Sequence, residues 1–127
     1  MSYDVQIGVK IAQTGRKNGL QPQLFAAIDT PEYDHPTYNV GKIIRKSTGW
    51  DFKQGEWYCA KDVLANIEKG IHEMRFNSYA YKDLEPENGW GSTDTVLRAL
   101  ESMLKCIDEN TNGWNNSIPI EYLYVRW

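Results

Sequence analysis

The stretch Asn88-Gly89-Trp90-Gly91-Ser92 is the sharpest boundary in this 127-residue chain, and it opens the segment that constrains the fold most. Two glycines bracket a tryptophan, which disfavours a helix through that point. Ser92 then offers its hydroxyl to the free N–H groups of a helix start. Beyond it, Val96, Leu97, Leu100, Met103, Leu104 and Ile107 recur at three- and four-residue spacing. That spacing predicts a helix from about Ser92 to Glu109 with one apolar stripe, which must be buried against other elements.

The other end of the chain has a different period. Tyr3, Val5, Ile7, Val9 and Ile11 alternate with Asp4, Gln6, Gly8 and Lys10, the pattern of a half-buried strand. Thr14 to Gly19 reads as a turn, and Leu24 to Ile28 as a second strand antiparallel to the first. Asp29 to Pro36, with two prolines and three acids, reads as a loop. Asn39 has the chemistry of an N-cap. After it, Val40, Ile43, Ile44 and Ser47 fall on one face of a short helix that Gly49 ends. Trp50 to Tyr58 connects this helix to a second, whose stripe is Ala60, Val63, Leu64, Ile67, Ile71 and Met74. Gly70 inside that helix costs about 1 kcal/mol against alanine, which implies close packing there. Phe76 to Asn88 is a polar connector, and Asn110 to Ser117 is a loop around Trp114. Ile118 to Trp127 is strand-like, without an alternation that assigns its faces. The expected architecture is a single α+β domain over residues 1–127. A small, mostly antiparallel sheet includes the N- and C-terminal strands, and three helices cover one face.

Composition and motifs narrow the function classes. The net charge of −3 argues against general nucleic-acid binding. The charge is uneven: residues 1–50 carry six basic and four acidic side chains, residues 51–127 eight and thirteen. No apolar run reaches the roughly 18 residues of a membrane span, and the first residues lack an apolar signal region. The expectation is therefore a cytoplasmic protein without a membrane partner. Cys59 and Cys106 are expected as free thiols. Two cysteines and two histidines at unrelated spacing argue against a zinc site, and no cofactor motif is present. Gly41-Lys42 lacks the upstream glycine and the following Ser or Thr of a phosphate-binding loop. His72-Glu73 lacks the second histidine of a zinc-protease helix, and no Gly-x-Ser-x-Gly elbow occurs. The expectation is a protein that is not an enzyme.

Helix starts discriminate among candidate binding sites. Asp62 and Asp94 already place negative charge in the first turns of the second and third helices. The first helix has no acid near its start. There Gly41 permits close approach, while Lys42, Arg45 and Lys46 supply charge off the apolar stripe. Tyr38, Asn39, Gly41, Lys42, Arg45 and Lys46, with Trp50, Trp57 and Trp90 to stack a flat ring, form the candidate site. Its expected occupant is a small anionic, nucleotide-type ligand. The alternative is a protein partner held by exposed tryptophan and tyrosine. Homo-oligomerisation stays open.

At Thr37-Tyr38-Asn39-Val40 and Pro86-Glu87-Asn88-Gly89-Trp90-Gly91 the sequence resembles a loose family of small phage and bacterial proteins. These share an opening strand, a Thr-x-Asn segment before a first helix and an Asn-Gly-Trp-Gly-like turn before the last. The resemblance spans most of residues 1–110 and implies a fold rather than an activity. Its phage members imply a protein that acts in the host cytoplasm, sequestering a signalling ligand or disabling a host protein.

Overall fold

The computed structural model describes residues 2–11, 24–32, 35–89, 91–114 and 117–127, with the backbone alone at Ile11 and Leu24. The fold is α+β in two layers. The strands are β1 (Gln6–Ile11), β2 (Leu24–Asp29), β3 (Tyr58–Cys59) and β4 (Leu123–Arg126), in the order β2-β1-β4-β3. Every neighbouring pair is antiparallel. The helices are α1 (Gly41–Thr48), α2 (Ala60–Phe76) and α3 (Thr93–Asn112). The expected turn at Thr14 to Gly19 and the site residue Trp90 lie outside the described residues.

Cross-strand partners share a face of the sheet, and this assigns both faces. Ile7 pairs with Val125 and Val9 with Leu123. Ile7, Leu123, Val125 and Trp127 are all nearly inaccessible and point toward the helices. Gly8 pairs with Tyr124 and Gln6 with Arg126, on the opposite face. The C-terminal strand therefore does alternate: its polar positions are a tyrosine and an arginine whose apolar parts are also half-buried. The register of β1 against β2 shifts after Ile7, whose partner is Asp29, while Gly8 pairs with Ala27. Ile28 is the extra residue of this bulge and is exposed.

The helices close over the inner face as their stripes require. Val40, Ile43, Ile44, Ile67, Val96, Leu100 and Met103 are fully buried. Gly70 marks a close approach of α1 and α3 to α2: a Cβ there would lie 2.6 Å from Thr48 Cγ2 and 2.7 Å from Leu100 Cδ1. Ser92 caps α3 in a reciprocal box, its hydroxyl accepting from the Thr95 N–H and its N–H donating to the Thr95 hydroxyl. Gly91, at φ +122°, packs its α-carbon against Val40, joining the turn before α3 to the start of α1.

Four expectations are corrected. Tyr3 and Val5 are buried but precede β1; the Tyr3 N–H donates to the Pro36 carbonyl (2.9 Å) and the Val5 N–H to His35 Nδ1 (2.9 Å). The end of the Trp50–Tyr58 connector adds a fourth strand, β3. The polar connector after α2 contains a 3-10 helix, Ser78–Leu84. Asn110 is a buried residue of α3 rather than the start of a loop, because its amide donates to Asp29 Oδ2 (2.8 Å) and to the Cys106 carbonyl (2.8 Å).

Candidate anion-binding groove

On α1, positions 42, 45 and 46 fall opposite the buried Val40/Ile43/Ile44/Ser47 face. Lys42, Arg45 and Lys46 line a surface groove of about 520 Å³, completed by Gly49, Asp51 and Leu84. Hydrogen bonds fix the end of α1 beside it. Gly49 at φ +69° donates to the Arg45 carbonyl (2.9 Å) and ends the helix. The Thr48 hydroxyl donates to the Ile44 carbonyl (2.6 Å) and accepts from the Trp50 N–H (3.0 Å), while the Asn66 amide donates to the Thr48 carbonyl (3.0 Å).

The cations differ in freedom. Arg45 Nε donates to the Phe52 carbonyl at 3.1 Å, and its guanidinium lies 4.2 Å from the centre of the Phe52 ring. Lys46 Nζ stands 5.8 Å from the Tyr81 ring. Lys42 and Lys46 are exposed. Among the described residues, none of the three cations forms an ion pair within 4.0 Å. Asp51 is the only acid among the described lining residues.

The other described residues of the predicted site do not line the groove. Asn39 is exposed within a 3-10 turn, Tyr38–Val40, and Val40, not Asn39, occupies the N-cap position of α1. The space that Gly41 opens is filled by the Tyr3 hydroxyl and by Arg45 Nη1, so no ligand reaches the backbone there. Tyr38 packs against Tyr3 at 4.7 Å. Trp50 is buried in an aromatic core with Phe52, Tyr58 and Trp127. Trp57 lies on the outer face of the sheet, beneath which Gly8 has no room for a Cβ. There it stacks on Phe25 at 5.5 Å, with Arg126 at 5.3 Å from its ring. Of the nine predicted residues, the structure brings together Lys42, Arg45 and Lys46. Asp51, Leu84 and Gly49 were missed as lining; the signal in sequence was only that Gly49-Trp50-Asp51 follows the basic turn directly.

Other chemistry-bearing groups are built into the fold. Asp29 Oδ2 accepts from Asn110 and from Cys106 Sγ (3.3 Å). Burial, and then Asp29, push the Cys106 thiol up to about 12, so it stays protonated at neutral pH. Cys59 and Cys106 are both free thiols. Burial, reinforced by Glu73, raises the Tyr81 hydroxyl. Among the described residues no cluster of three His, Cys, Asp or Glu side chains could hold a metal, and no helix is long and apolar enough to cross a membrane. Exposed aromatics lie elsewhere: Phe76 and Tyr79 are 72% and 77% exposed, and Trp114 and Tyr122 also face solvent. His72, the histidine of the incomplete zinc-protease pattern, leans on Phe76 at 4.9 Å.

No protein-family model, curated protein or solved structure matches this chain.

Proposed function

We propose that this is a non-enzymatic binding protein that holds a small phosphate-bearing ligand in the α1 groove. One observation carries this: three cations, without an ion-pair partner among the described residues, line one surface groove. Charges left without partners in a groove attract and orient an anion, and lose less to desolvation than buried ones would. No described tryptophan joins them, so stacking does not support the assignment. In the setting that the phage resemblance implies, the ligand is a nucleotide-type signal sequestered in the host cytoplasm.

The test is a thermal-shift screen against nucleotides and sugar phosphates at low salt, with native mass spectrometry of any hit. A bound ligand raises Tm by mass action, and Lys42→Gln with Lys46→Gln removes the shift. Arg45→Ala is the poorer probe, because Arg45 also packs on Phe52.

A second class of function, binding of a protein partner, draws on the exposed Phe76 and Tyr79. A screen that finds no anionic ligand while Phe76→Ser abolishes a partner interaction would put it first.

A further inference from the structure

We infer that the α1 groove selects a phosphate monoester in its dianionic form, carried by a small molecule, over phosphodiesters and carboxylates. This rests on the groove being the binding site. Lys42, Arg45 and Lys46 contribute three positive charges and Asp51 one negative, so the lining has a surplus of two. Lys69 adds to the positive side, with its Nζ 3.4 Å from where a Cβ on Gly49 would stand. A monoester carries about −1.5 to −2 at pH 7, whereas a diester or carboxylate carries one charge. Of the three, the monoester comes closest to neutralising this charge.

Geometry agrees with charge. Positions 42, 45 and 46 lie within little more than one helical turn, with Cβ atoms of neighbours about 5–6 Å apart. That spacing fits one tetrahedral group better than an extended chain of phosphates. The Phe52 carbonyl engages Arg45 Nε and the guanidinium carbon lies over the Phe52 ring. Phe52 therefore presets the fork, whose Nη groups are suited to two oxygens of one phosphate. Gly41 lets Nη1 lie against the helix: a Cβ there would stand 2.8 Å from it. Lys42 and Lys46, flexible and exposed, supply donors to the remaining oxygen.

The described groove lining contains no histidine, the side chain that ordinarily titrates between pH 5 and 8. A change of affinity across that range then belongs to the ligand, whose second phosphate ionisation lies near pH ~6.

Calorimetry with adenosine 5′-monophosphate and adenosine 3′,5′-cyclic monophosphate, at low ionic strength, compares a dianion with a monoanion on the same base and sugar. The expected result is at least about fivefold tighter binding of the 5′-monophosphate at pH 7.5. That preference should shrink as the pH is lowered to 5.0, while the cyclic ester stays level. Lys42→Gln with Lys46→Gln should remove the preference and leave the unfolding transition in place. Equal affinity for the two nucleotides, or a preference indifferent to pH, would overturn the selection while leaving the groove as an anion site. If neither nucleotide nor inorganic phosphate binds, the groove is not the binding site and both proposals fall.

Discussion

Arg45 and Arg126 occupy similar surroundings and end in different states. Each guanidinium lies over an aromatic ring, Phe52 at 4.2 Å and Trp57 at 5.3 Å. Arg126 is also paired with Asp4 at 2.8 Å, and its Nε is buried. Its charge is spent on closing the outer face of the sheet, where Phe25, Trp57 and Tyr124 pack together. Arg45 uses one N–H on a backbone carbonyl and meets no carboxylate among the described residues. A cation near aromatic rings is therefore not a binding site by composition alone. What separates the two is whether the fold has already supplied the counter-charge.

Substitutions on the two sides test that distinction, beginning with the largest effect. Trp57→Ala should destabilise by about 2 kcal/mol, since a half-buried indole covering Gly8 and Arg126 is lost. A denaturant midpoint unchanged from wild type would show that the outer cluster is decoration and not part of the packing. Arg45→Ala should cost about 1–2 kcal/mol in urea unfolding, from its bond to the Phe52 carbonyl and its contact with the ring. An effect near zero would make Arg45 a freely solvated charge, quite unlike Arg126.

Carboxylates divide in the same way: Asp29, like Asp4, is engaged by the fold, whereas Asp51 lines the groove. Burial raises the Asp29 carboxyl, but hydrogen bonds from Asn110, Cys106 and the Thr30 backbone outweigh it and lower the group overall. Its folded pKa thus lies below that of the unfolded chain, about 3.9. The stability it contributes is present above about pH 4 and fades as pH falls through the folded value. Asp29→Asn should cost about 1 kcal/mol at pH 7 and flatten the acid limb of a stability–pH curve. An acid limb identical in wild type and variant would remove Asp29 from that account. The smallest effect belongs to Lys46→Gln. It should shift stability by less than about 0.5 kcal/mol, because the side chain is exposed. A larger loss would mean that its approach to Tyr81 is structural and that Lys46 is less free than the groove requires.

Much of the architecture was legible where one period ran through many residues. The stripes of α2 and α3, the Ser92 cap and the tight contact at Gly70 all come from local spacing. β3 was not legible, because Tyr58–Cys59 is a strand only by virtue of β4, which lies 65 residues away in sequence at Cys59↔Tyr124. Asn110 read as loop by composition, whereas its amide, bonded to Asp29 on β2 and to the Cys106 carbonyl, is buried within α3. For the candidate groove, helical spacing put Lys42, Arg45 and Lys46 on one face of α1, and the three line it together. It was silent on the aromatics, since a connector gives no sign of which side of a sheet it will cross. Trp50 went into the core and Trp57 to the far face, seven residues apart. Asn39 had the right chemistry for a cap, but the chain enters α1 through a 3-10 turn instead.

The pairing of β1 with β4 also has a consequence for how the molecule is made. Gln6 pairs with Arg126, and the Trp127 ring lies 6.0 Å from that of Tyr3. The central ladder of the sheet thus joins segments separated by almost the whole chain. On the ribosome β1 must wait for β4 to emerge, with Ile7 exposed on an unpaired edge in the interval, and contacts of such sequence separation slow the closing step of folding.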